Sequence, residues 1–161
     1  MKGVKNNVKS SIKAFICGTL MGALSMGSVA AVNAQSTATG NTRNYTLNGY
    51  SYSAYNMIVT GSNSDGKYAT ASTILSHNGT GLPTGYMGSR PRLYEASTGI
   101  VIKYGSWKYN SNGTLSMLNP VTVSGYVNPP TVYSQGEVEL WNGDGYDTYY
   151  TYRTPNSSNF T

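Results

Sequence analysis

Residues 136–153, GEVELWNGDGYDTYYTYR, decide how the rest of the chain is read. Val138 and Leu140 alternate with Glu137, Glu139 and Trp141, the period of two that a half-buried strand shows. Asn142-Gly143-Asp144-Gly145 supplies residues that accept positive φ or bond their own backbone, and so predicts a turn. Residues 146–153 return rich in Tyr and Thr, which suit a pleated surface. The stretch therefore predicts a β-hairpin. Whether its turn centres on Gly143-Asp144 or on Asp144-Gly145, odd positions before it pair with even positions after it, because a shift of two preserves parity. One face then carries Glu137, Glu139, Trp141, Tyr146, Thr148, Tyr150 and Tyr152. The other carries Val138, Leu140, Asp147, Tyr149, Thr151 and Arg153.

The same pattern recurs upstream. Residues 45–60 predict a strand interrupted or bulged at Asn48-Gly49, and a loop over 61–66 returns the chain as a strand over 67–75. The Gly- and Pro-containing stretch 76–85 predicts a surface loop, and 86–96 a strand in which Pro91 implies an edge or a bulge. After a turn at Ser97-Thr98-Gly99, residues 100–109 and 114–118 predict a second hairpin around Asn112-Gly113. A short strand over 120–126 and a break at 127–130 lead back to the opening hairpin. No apolar period of 3.6 extends through ten residues after position 34. The reading is an all-β domain, a single antiparallel β-sandwich or small barrel.

The first 34 residues have a different character. Lys2, Lys5, Lys9 and Lys13 precede an apolar run over 14–26 and then the small residues Ser28, Ala30, Ala31 and Ala34. This is the pattern of a secretory signal peptide cleaved after Ala34, and the run falls short of the roughly 20 residues that span a bilayer. The expected organisation is a signal peptide over 1–34, a flexible polar leader over 35–44, an all-β domain over 45–153 and an irregular tail over 154–161. The expected location is secreted, extracellular or cell-wall associated, with no stable membrane anchor.

Cys17 is the only cysteine and lies in the expected signal peptide. The remaining 127 residues (161 minus 34) are disulfide-free, without a thiol nucleophile or thiolate ligand, and must be held by their core. The formal charge of +5 divides in the same way: four of the 11 Lys and Arg precede Ala34, leaving seven against six acids, a net of +1. No broad basic field is left for nucleic acid, so none is expected as a partner. Arg90 and Arg92 form the one local basic pair, read as solvated charges at a strand edge.

Catalytic arrangements are sparse. His77 is the only histidine, sits in the predicted loop without a nearby acid, and is read as an exposed loop residue rather than a triad base. No cofactor is expected, and the chain is not read as an enzyme. Glu137 and Glu139 lie two apart on one strand, roughly 6.5–7 Å at the backbone. That separation is compatible with a small glycoside hydrolase using paired carboxylates, one alternative function. Asp144 and Asp147 beside the Asn-Gly turn are weak calcium candidates lacking the spacing of an EF-hand loop.

The aromatic face offers a different role. If Val138 and Leu140 face the core, Trp141, Tyr146, Tyr150 and Tyr152 form an outward stacking surface, and Glu137 and Glu139 accept hydrogen bonds from hydroxyls. Such a surface suits sugars, so the expected function is a non-catalytic extracellular domain binding glycan or a cell-wall polymer. If the aromatic face is itself the core, the carboxylates mark its rim, an arrangement favoured by the large area that aromatics bury. A membrane-active toxin or bacteriocin-like protein is a further alternative, compatible with secretion and aromatic strands.

Overall fold

The computed structural model describes residues 35–161; the expected signal peptide lies outside them. Twelve strands follow in order: β1 Ser36–Thr39, β2 Arg43–Leu47, β3 Tyr50–Asn63, β4 Gly66–His77, β5 Met87–Arg90, β6 Arg92–Glu95, β7 Val101–Tyr104, β8 Lys108–Tyr109, β9 Ser116–Tyr126, β10 Val132–Ser134, β11 Glu137–Trp141 and β12 Tyr146–Tyr150. All pairings are antiparallel, and the described residues contain no helix. The chain is all-β, with sheets packed face to face in a manner consistent with a β-sandwich.

One layer is a five-stranded sheet built on the long hairpin β3–β4, with β9 on its far side and both β1 and β2 along β3. The hairpin continues to Asn63 opposite Gly66, so the loop expected over 61–66 shrinks to Ser64-Asp65. Its Asn63 Oδ1 accepts the Asp65 N–H at 2.9 Å, a local bond that closes the turn. Asn48 and Gly49, expected to interrupt or bulge the strand, interrupt it as the two central residues of a hairpin: both have positive φ (50° and 76°), and Leu47 pairs with Tyr50. That geometry twists with the flanking strands and selects Asn-Gly. Within the expected flexible leader, Ser36–Thr39 pairs with β3 as a strand, because β3 extends far enough to offer a free edge. Pro120 lies inside β9, joining the two strands expected there; β9 pairs only with β4, and an edge strand tolerates the missing N–H.

The second layer consists of two short sheets, β12-β11-β5-β8 and β10-β6-β7. Three segments pass directly from one to the other: β5 to β6 through Pro91, β10 to β11 through Gln135-Gly136, and β7 to β8 through Gly105-Ser106-Trp107. The tail after β12 follows the same course, with Thr151 N–H donating to Gly136 O at 3.0 Å, Thr154 N–H to Ser134 O at 2.9 Å, and Ser157 exchanging bonds with Val132. The two sheets are thus one layer with a crease. Pro91 sits at that crease in the middle of the layer, not at an edge: lacking an N–H, it interrupts the ladder, and its carbonyl accepts from Gly105 N at 2.8 Å. Gly105 is required there, since a Cβ would lie 2.6 Å from Pro91 Cγ.

Two apolar clusters fill the space between the layers. Tyr52, Leu75, Met87, Met117, Val138 and Leu140 belong to one, and Ile58, Leu93, Val132 and Phe160 to the other. Between them a polar row crosses the five-stranded sheet: Asn56 pairs with Thr73, and Thr73 with Asn119. Asn56 and Thr73 have no exposed surface. The row serves backbone groups at the crease that have lost strand partners. Asn56 Nδ2 donates to Thr151 Oγ1 and to Tyr152 O (2.8 Å), while Asn119 Nδ2 donates to Ser89 O (2.6 Å) and Ser106 O (2.9 Å). Thr151 Oγ1 in turn accepts Gly136 N–H at 3.0 Å. Each such group left unpaired in a buried site costs about 1–3 kcal/mol, which is why polar residues occupy these core positions.

Two further expectations change. His77 is not an exposed loop residue: it ends β4 with 7% exposure, its Nδ1 3.0 Å from Ser51 O and its ring against Tyr50 and Tyr52. Asn112-Gly113 makes a turn but no hairpin, since β8 pairs with β5 and β9 with β4; it carries the chain between layers.

Candidate functional site

The hairpin over 136–153 forms with its turn centred on Gly143-Asp144. Asn142 N–H donates to Gly145 O at 3.0 Å, and Asn142 Oδ1 accepts from Asp144 N (3.1 Å) and Gly145 N (2.8 Å). Glu137 pairs with Tyr150, Glu139 with Thr148 and Trp141 with Tyr146, in the parity expected. Val138 and Leu140 are fully buried against Met87 and the five-stranded sheet. The aromatic face therefore points outward, which overturns the arrangement in which it forms the core. Trp141 is half-buried, while Tyr146, Tyr150 and Tyr152 are 41%, 50% and 51% exposed.

Sheet order adds residues that the hairpin alone does not reveal. β11 pairs with β5, and β5 with β8, so Glu139, Gly88 and Tyr109 form one row. The Tyr109 ring lies over Gly88, where a Cβ would stand 2.6 Å from a ring carbon. From Tyr109 the rings continue in both directions. Trp107 stacks on it at 6.2 Å, Tyr146 lies 5.5 Å away, Trp141 is 5.5 Å beyond Tyr146, and Tyr86 follows at 6.1 Å. Tyr146 Oη donates to Gly85 O at 2.8 Å, which fixes the ring without hiding its face. Tyr109 Oη donates to Glu139; burial, with help from that carboxylate, pushes the phenol up to about 12.

Glu137 has a different fate from the one expected. It is 4% exposed, and its two carboxylate oxygens are taken by Arg90 and Arg92. It is not a free acceptor for ligand hydroxyls, and Glu137 and Glu139 do not present two free carboxylates. Nor are Arg90 and Arg92 solvated edge charges, because β5 and β6 are interior strands and the crease brings both guanidiniums onto one acid. Burial would lower the Arg92 pKa, but the Tyr94 hydrogen bond and Glu137 outweigh it and hold the value above the ordinary one.

Beyond the crease the strip continues. Arg90 lies over Trp107 at 4.9 Å, Arg92 over Tyr104 at 5.1 Å and Tyr150 at 5.4 Å, and Arg92 also bonds Tyr94 Oη at 3.3 Å. Tyr94 stacks flat on Tyr133 at 4.9 Å. Tyr94 and Tyr133 are both buried, so the exposed rings of the strip end at Tyr104 and Tyr150.

The weak calcium candidates do not converge. Asp144 is exposed in the turn, whereas Asp147 accepts from Asn142 Nδ2 at 2.8 Å and Tyr149 Oη at 3.2 Å on the opposite side of the hairpin. Among the described residues no three His, Cys, Asp or Glu side chains gather in a way that would hold a metal ion. Comparisons with protein-family models, curated proteins and solved structures find no match to this chain.

Proposed function

We propose that the chain is a secreted, non-catalytic β-sandwich domain that binds an extended glycan or cell-wall polymer along the aromatic strip. One observation carries this reading: contiguous exposed rings cover the outside of a sheet whose inside, Met87, Val138 and Leu140, is core. Flat rings bury the apolar faces of sugars while their hydroxyls stay hydrated or bond to neighbours such as Glu139 and the tyrosine hydroxyls. An open strip accepts internal segments of a polymer, as a binder requires. The rings are already ordered by their neighbours, so little side-chain freedom is lost on binding.

The test is retention of the purified protein on insoluble polysaccharides and cell-wall material, with Trp141→Ala/Tyr150→Ala as the paired variant. The expected result is retention by the parent, none by the variant, and an unfolding temperature lowered by no more than about 5 °C, because neither ring lies between the layers. Unchanged retention by the variant, or release of sugars by the parent, counts against the reading.

A further inference from the structure

All four arginines of the chain, Arg43, Arg90, Arg92 and Arg153, lie over rings of this strip or its border. Arg153 is 4.5 Å from the Tyr133 ring centre and Arg43 is 5.7 Å from that of Tyr152. Among the described residues, Glu137 is the only carboxylate in ion-pair reach of any arginine, and it is shared by Arg90 and Arg92. Arg43 and Arg153 bond neutral oxygens, Tyr150 O at 2.8 Å and Asn156 Oδ1 at 3.0 Å. Four guanidiniums less Glu137 and Glu139 leave the strip at +2, whereas residues 35–161 as a whole carry seven basic and six acidic side chains, +1. The positive charge of the domain is therefore concentrated where the rings are.

Resting on the polymer-binding reading, we infer that the preferred polymer is anionic: a glycan or polyol chain carrying carboxylate or phosphodiester groups. A guanidinium stacked on a ring keeps its in-plane N–H groups free at the edge, the geometry that meets a carboxylate or phosphate with two parallel hydrogen bonds. Rings between the arginines then take the uncharged faces of the repeating units. Neutral polymers would use the same rings and gain nothing from the arginines. Arg90, whose Nε and Nη2 hold Glu137, keeps its Nη1 end for a ligand at the centre of the strip, its side chain 29% exposed against 11% for Arg92. Arg43 and Arg153 extend the field along the border.

The experiment measures binding of the purified protein to a polyuronate, a poly(glycerol phosphate), a neutral glucan and a mixed-sequence single-stranded oligonucleotide, in about 50 mM and about 500 mM salt. The expected result is at least about tenfold tighter binding to one or both anionic polymers than to the glucan in low salt, falling about tenfold in high salt. The first two arms identify which anionic group is recognised. Arg43→Gln/Arg153→Gln, which leaves Glu137 paired, should weaken anionic binding at least about threefold and leave glucan binding unchanged. Equal affinity for the glucan, salt-insensitive binding, an unaffected double variant, or tighter binding to the oligonucleotide overturns the inference. Equal glucan binding leaves the polymer-binding reading standing; failure to bind any of the glycans removes both.

Discussion

The two outward faces of the molecule follow the same strand parity and differ completely in chemistry. On the five-stranded sheet, outward positions bear hydroxyls and apolar groups: Thr70 bonds Thr122 at 2.8 Å, Ser76 bonds Ser116 at 2.9 Å, and Met57 and Val59 lie between them and the β1 edge. No charged side chain occupies an outward position on that sheet. The creased layer and its tail gather three of the four arginines and most of the exposed rings, and the fourth, Arg43 of β2, reaches its border. The difference follows from continuity. An unbroken ladder satisfies its own backbone, and short polar side chains suffice to cover it. A broken ladder leaves carbonyls and amides without partners. The crease is supported from inside by Asn56, Thr73 and Asn119 and from outside by the Arg90–Glu137–Arg92 cluster, so charge accumulates at the interruption.

The contrast can be broken most severely at Gly136. A Cβ there would overlap Thr73 Oγ1 and come within 3.0 Å of Asn56 Oδ1. Gly136→Val should cost at least about 3 kcal/mol and lower the unfolding temperature by about 10 °C or more in calorimetry. An unfolding temperature within about 2 °C of the parent would mean the crease relaxes freely and is not held by the polar row.

An intermediate effect is expected from alkaline pH. Burial pushes Tyr45 and Tyr52, on the inner side of the five-stranded sheet, up to about 12, and Tyr109 on the strip reaches about 12 as well. The folded values lie above the ordinary 10.0, so the stability these phenols contribute is complete below pH 10 and is lost as pH rises toward 12. Unfolding temperature should be level up to about pH 9.5 and then fall, while tyrosinate absorbance develops in an early step and a delayed one. A single early step with no loss of stability would place these rings in water. The smallest effect belongs to the hydroxyl face: Thr122→Val should change stability by less than about 0.5 kcal/mol and leave polymer retention untouched. A loss of retention would move the binding surface to the other layer.

Legibility in the sequence followed the range of the interactions. The all-β class, the β3–β4 hairpin and the parity of residues 136–153 depend on alternation and nearby turn residues, and all three were readable. The Asn-Gly pairs at 48–49 and 112–113 were not distinguishable, because a hairpin turn also needs flanking strands that pair. Leu47 and Tyr50 do so, whereas Tyr109 and Ser116 belong to different sheets. The site was legible only in part. Trp141, Tyr146 and Tyr150 follow from one hairpin, but Tyr109 and Arg90 reach them through β5, whose partner β11 lies 47 residues away at the Arg90–Glu137 pair. The ionic fate of Glu137 was hidden for the same reason. A signal did exist in Pro91: a proline flanked by arginines in an otherwise regular strand marks an interruption, although it cannot say that the interruption is central. Asn56 and Asn119 gave no local sign of burial, since their role depends on a crease in the opposing layer.

The tail beyond β12 carries a kinetic consequence. Thr151 meets Asn56 across 95 residues, and Thr60 meets Ser157 across 97, the hydroxyls 2.8 Å apart. Contacts so distant along the chain are slow to form, because ordering the intervening loop costs entropy before any bond repays it. The second apolar cluster is likewise completed by Phe160, packed with Ile58 from β3. The interior is therefore sealed only once segments about 95 residues apart have met, and until then the polar row and the second apolar cluster lack their opposing layer.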